Sequence, residues 1–129
     1  MYKIYCDGAS RSNPGEASIG VSVTKEGNEI EFIAKKIGIA TNNVAEYKSL
    51  RSALIYCVEN KITDACIYLH SLLVVQKVNE KFKVRSENLK ELNAQCKDLM
   101  SQINSLEIIH VRREKNKRAD ELANIALDS

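Results

Sequence analysis

The 129-residue chain has no tryptophan, a single proline, five glycines and an aromatic content of only 5%. Glycine and proline this sparse exclude collagen-like and low-complexity chains. No apolar run approaches the roughly 20 residues that a membrane-spanning helix needs. The opening MYKIYCDGAS lacks a basic segment followed by an apolar one and enters a strand-like pattern directly, so no signal peptide is expected. An excess of one charge is also missing. Lys and Arg total 19 against 17 Asp and Glu, for a net charge of +2, so the overall charge does not announce a nucleic-acid binder and the placement of charges must decide. None of the four cysteines (Cys6, Cys57, Cys66, Cys96) forms a CxxC pair or has a histidine at zinc-ligand spacing. Each lies in an apolar stretch and reads as a reduced, buried thiol, which fits a cytoplasmic location.

What is present is ordinary globular material: 44% hydrophobic and 28% charged residues, in a length suited to a single domain covering residues 1–129. Alternating Tyr and Ile predict a strand over residues 2–7, followed by the loop DGASRSNPGE. Residues 17–24 and 30–37 read as two further strands joined by a hairpin turn at Gly27-Asn28. Thr41, Asn42 and Asn43 are capping residues before an apolar period of Val44, Tyr47, Leu50, Leu54 and Val58, which predicts a helix over about 43–60. A buried strand follows at 65–69, then a short helix capped by Ser71 and running through Val78. Beyond a basic connector at 81–85 come a helix over 87–103, a strand over 106–111, the charged loop RREKNKR and a helix over 119–127. The order β-β-β-α-β-α-α-β-α predicts an α/β domain with a mixed sheet covered by helices.

In such sheets ligands gather beyond the carboxyl ends of the parallel strands. The polar residues expected there are Asp7 at the end of the first strand, His70 at the end of the fourth, Asp120 at the start of the last helix, and Glu46 in the first turn of the first helix. An acid at a helix start also serves the helix dipole, and that reading stays open for Glu46 and Asp120. Asp7 is different, because an unpaired carboxylate at the end of an apolar strand is costly. Three carboxylates converging at one sheet edge repel unless cations hold them together, and hard oxygen ligands suit Mg²⁺ or Mn²⁺. Two such ions can activate a water and stabilise a leaving phosphate oxygen, which points to phosphodiester hydrolysis. The loop DGASRSNPG matches neither GxGxxG nor a Walker loop, so no nucleotide or other small-molecule cofactor is expected.

The segments YCDGASRSNPGEASIGV, TNNVAEY, IYLHSLLVV and HVRREKNKRADELANIA, taken in order, resemble the type 1 ribonucleases H across nearly the whole chain. The resemblance implies the ribonuclease H-like fold, a five-stranded mixed sheet whose first three strands are antiparallel, flanked by helices. It also implies cleavage of the RNA strand of RNA/DNA hybrids with two divalent ions. Asp7, Glu46 and Asp120 match metal-binding acids, and His110 a loop histidine that assists proton transfer or product release. Asn13, Asn42 and Asn43 match residues that touch the nucleic acid, and Thr41 matches a residue of a DNA-phosphate pocket. Arg112, Arg113 and Lys117, in a basic run with Lys115 and Arg118, flank Asp120 and are expected to track phosphate. Lys77, Lys81, Lys83 and Arg85 form a second basic cluster. A monomer without membrane association is expected.

One departure stands out. The family places an aspartate where this chain has His70, and commonly a glutamine where it has Leu72. An imidazole in place of a carboxylate removes a charge and a bridging oxygen, so one metal subsite should be weakened and Mn²⁺ preferred over Mg²⁺. Three readings are open: an active enzyme with His70 as ligand or bystander, a catalytically silent hybrid-binding domain, or a substitution that is engineered rather than native. No room exists between 81 and 87 for the basic helix and loop with which some relatives grip substrate.

Overall fold

The computed structural model describes residues 1–79, 84 and 87–129. The expected connector residues Lys81, Lys83 and Arg85 lie outside the described residues. Five strands form one mixed sheet in the order β3-β2-β1-β4-β5, where β1 is Tyr2–Ser10, β2 Gly15–Lys25, β3 Asn28–Ala40, β4 Asp64–Leu69 and β5 Ser105–His110. The first three strands are antiparallel, and β4 and β5 add in parallel through helical crossovers, as expected. Among the described residues four helices flank the sheet: α1 Asn42–Glu59, α2 Leu72–Asn79, α3 Glu87–Met100 and α4 Lys117–Asp128.

The β2–β3 turn falls one residue earlier than Gly27-Asn28. Glu26 and Gly27 both have positive φ (53° and 82°), and Asn28 already pairs with Lys25. That is the left-handed pair a two-residue hairpin demands. Thr41 caps α1, its Oγ1 accepting from the Val44 amide at 3.2 Å, and Ser71 caps α2 the same way through Val74 at 3.3 Å. Helix α3 stops at Met100 rather than continuing to Ile103. A turn takes over, the Ile103 amide bonding the Met100 carbonyl, and Ile103 still reaches the core. The charged loop after β5 holds one 3₁₀ turn, Arg113–Lys115, and α4 begins at Lys117, two residues before the expected start.

The main core lies between the sheet and α1–α3, built on Ile4, Val21, Tyr47, Leu50, Leu54, Ile67 and Leu69. All four cysteines are free and buried. Burial pushes the Cys57 thiol up to about 11 and the Cys96 thiol to about 12, so both behave as small apolar groups rather than nucleophiles.

Two glycines set the spacing of the layers. A Cβ on Gly8 would stand 2.2 Å from the Ala45 carbonyl carbon, so β1 meets α1 only because that Cβ is missing. A Cβ on Gly20 would stand 2.2 Å from the Ala119 carbonyl oxygen, so α4 lies directly on β2 for the same reason. Among the described residues no helix is long and apolar enough to cross a membrane.

Candidate active site

The position of Asp7 follows from strand lengths. Pairing of β1 with β4 ends at Cys6↔Leu69, while pairing with β2 continues to Ser10↔Ala17. Asp7 is therefore inside β1 rather than at its end, but it is the first residue for which β4 offers no partner. His70, the residue after Leu69, stands beside it, and Leu69 pairs with His110 of β5. Asp7 is 8% exposed.

The two glycines deliver the other acids. Gly8 brings β1 against α1, and its amide donates to Glu46 Oε1 at 2.6 Å. Asp7 is in register with Gly20, on which α4 rests, and α4 carries Asp120. Asn116 pins the start of α4 by donating from Nδ2 to the Cys6 carbonyl at 2.8 Å. Sequence inspection missed Asn116. It reads as an ordinary cap, yet it makes no side-chain cap bond and is spent on the strand instead. Glu46 also falls outside the expected first turn. Because α1 starts at Asn42, Glu46 belongs to the second turn and is not a dipole-capping acid, whereas Asp120 does lie in the first turn of α4.

A cavity of about 410 Å³ results, lined by Asp7, Glu46, His70 and Asp120 together with Asn42, Asn43, Arg113 and Asn116. Burial raises the Asp7 carboxyl from 3.8 to about 6; neighbouring Glu46 pulls it down, Asp120 pushes it up, and His70 draws it slightly down. Glu46 is raised well above the ordinary carboxyl range, first by burial and then by Asp7, with the Gly8 and Ser71 amides opposing. Its Oε2 is buried without a hydrogen-bond partner. That carboxylate is costly to bury as it stands.

The donor chemistry fits a hard divalent cation, since carboxylate oxygens converge and one of them is unpartnered. Among the described residues no three His, Cys, Asp or Glu side chains are already grouped to hold an ion.

Other expected site residues divide. Asn13 lies outside the cavity but supports its rim, its Oδ1 accepting the Asn42 amide at 3.0 Å. His110 does not line the cavity and instead lies near-parallel to His70, with ring centroids 6.2 Å apart. Thr41, expected in a phosphate pocket, lines a groove between α1 and α3 together with Lys48 and Arg51, while its hydroxyl caps α1. Lys117 lines a third cleft beside Tyr5, on the far side of Asn116, and Arg112 lines none of these three. Only Arg113 of the basic run reaches the acid cavity. Arg118 is committed elsewhere, paired with Glu29 at 2.9 Å and with Glu121.

A five-stranded sheet in this order, with an acid cavity where β4 runs out, defines a protein of the ribonuclease H-like class. A family model described as "Reverse transcriptase-like" matches residues 5–126. Ribonuclease HI of Halobacterium salinarum is 37% identical over 125 residues, 96% of this chain and 63% of that protein. Bifunctional protein Rv2228c of Mycobacterium tuberculosis is 38% identical over 128 residues, 98% of this chain. This chain spans only 35% of that relative's length. The crystal structure of LC11-RNase H1 in complex with RNA/DNA hybrid superposes with a TM-score of 0.92 at 40% identity, covering 99% of this chain and 97% of that one. The chain belongs to the type 1 ribonuclease H family.

Proposed function

We propose that this protein is a ribonuclease H-type endonuclease that hydrolyses the RNA strand of RNA/DNA hybrids. The observation that carries the reading is the meeting of Asp7, Glu46 and Asp120 on one cavity, with Glu46 Oε2 left unpartnered. Family membership and the hybrid bound by LC11-RNase H1 support the substrate class.

Asp7, Glu46 and Asp120 would hold divalent ions, Mg²⁺ or Mn²⁺, at two subsites. Such ions, when bound, polarise the scissile phosphate and lower the pKa of the attacking water. The remaining work falls to the protein. Arg113 places a guanidinium at the cavity for a phosphate oxygen. Asn42 and Asn43 offer amide donors at the start of α1 to backbone and 2′-hydroxyl. Asn13 orients Asn42 through its amide. Arg112 and Lys117 would contact phosphates farther along the duplex, and His110 would move a proton from beside His70. With His70 in place of a carboxylate, the subsite it serves is weakened and Mn²⁺ is favoured. The protein acts as a monomer in the cytoplasm.

The test compares hybrid cleavage by the parent, Asp7→Asn and His70→Asp in Mg²⁺ and in Mn²⁺. The parent should cleave, more strongly in Mn²⁺; Asp7→Asn should lose at least a hundredfold, and His70→Asp should gain in Mg²⁺. Hybrid binding without turnover by the parent, restored in His70→Asp, would make it a silent binding domain.

A further inference from the structure

The His70 ring has a built orientation. Its Nδ1 lies 3.4 Å from the Val111 carbonyl oxygen. That carbonyl is itself fixed, because the Val111 amide donates to the Leu69 carbonyl at 2.8 Å, extending the β4–β5 ladder by one bond. A carbonyl oxygen can only accept, so Nδ1 must carry the proton in this contact. In the neutral ring Nε2 then keeps its lone pair. The ring lines the acid cavity, one position beyond the Cys6↔Leu69 pair and so beside Asp7. His110 cannot substitute for it, since its ring is 6.2 Å away by centroids and does not line the cavity.

We infer that the Val111 carbonyl locks His70 in the Nδ1–H tautomer and makes Nε2 the metal-ligating atom of the weakened subsite, a positioning device that selects metal identity. Histidines that bind metals characteristically commit their other nitrogen to a carbonyl or carboxylate, which fixes tautomer and ring plane. The resulting subsite offers one nitrogen among carboxylate oxygens. Imidazole favours Mn²⁺ and later divalent metals over Mg²⁺, which demands oxygen and octahedral order. The inference rests on the proposed acid site and adds to it the ligating atom and the reason for metal choice.

Two measurements test it, neither of them catalytic. In metal-free protein, nitrogen-15 NMR of the imidazole should show His70 protonated at Nδ1 and bare at Nε2; the opposite tautomer overturns the inference. Pulsed EPR on the protein loaded with Mn²⁺ should then show imidazole nitrogen coupling. The coupling should persist in His110→Ala and vanish in His70→Asp, where affinity for Mg²⁺ relative to Mn²⁺ should rise about tenfold or more. Only two histidines are present, so these variants assign the nitrogen. If Mn²⁺ binds in a manner abolished by Asp7→Asn but shows no nitrogen coupling, the inference fails and the acid site stands. If Mn²⁺ binding is absent or indifferent to Asp7→Asn, both fail. Should His70→Asp not fold, the parent tautomer and the His110→Ala spectrum still decide.

Discussion

At the scale of the residue, Asp7 is buried beside Glu46 and Asp120 because β2 keeps pairing where β4 has stopped. Its folded carboxyl, at about 6, lies above the ordinary 3.8 of an unfolded chain. The folded state therefore binds this proton more tightly. Its contribution to stability is fully present below about pH 4 and is lost as pH rises through about 6. Glu46 shifts the same way. In the presence of a chelator, unfolding free energy should drop by on the order of 2–3 kcal/mol between pH 4 and pH 7 on account of Asp7. Urea titrations across that range check this, and Asp7→Asn should remove the Asp7 share of the slope while leaving that of Glu46. A divalent ion competes with the proton, so stabilisation by Mn²⁺ should be larger at pH 7.5 than at pH 5. Asp7 was legible from sequence as a carboxylate on an apolar strand. Its convergence with Glu46 and Asp120 was legible too, but its place inside β1, one residue past the last β4 pair, was not, since that depends on where a neighbouring strand ends.

At the scale of the element, glycines govern how closely the helices approach the sheet. Gly20→Ala would put its Cβ against α4 backbone, at 2.2 Å from the Ala119 carbonyl oxygen and 2.6 Å from the Ala123 amide nitrogen. Backbone cannot step aside as a side-chain tip can, so α4 must move, at a cost of about 1–3 kcal/mol or more. Because α4 carries Asp120, hybrid cleavage should fall together with the melting temperature. Asn116→Ala leaves the buried Cys6 carbonyl without its donor and should cost about 1–3 kcal/mol by urea denaturation. The helices and strands themselves were legible. Apolar periods at Val44–Val58 and caps at Thr41 and Ser71 predicted α1 and α2 to within a residue or so. What the pattern could not tell was that Thr41 faces a groove apart from the acid cavity, or that Asn116 ties α4 to β1. Both are polar residues at helix starts, and such residues look alike until their partners are known.

At the scale of the molecule, near-neutral charge conceals two unlike regions: a cavity of acids and a basic run that begins two residues after β5. The run is less concentrated on the cavity than its sequence suggests, since Arg118 is tied to Glu29 and Lys117 faces another cleft. Hybrid affinity should still depend on salt. Replacing Arg112, Arg113 and Lys117 together with alanine should reduce the slope of log affinity against log salt by about 2–3, measured by fluorescence anisotropy. A slope that does not change would remove these residues from the phosphate track. The claim on which everything else rests is metal-dependent, strand-specific hydrolysis by the acid cavity. It is tested most directly by incubating the folded protein with an RNA/DNA hybrid labelled on either strand, in Mn²⁺, beside Asp7→Asn. Cleavage of the RNA strand alone is expected, reduced at least a hundredfold by Asp7→Asn. An intact RNA strand in both Mn²⁺ and Mg²⁺, or cleavage unaffected by Asp7→Asn, would contradict it.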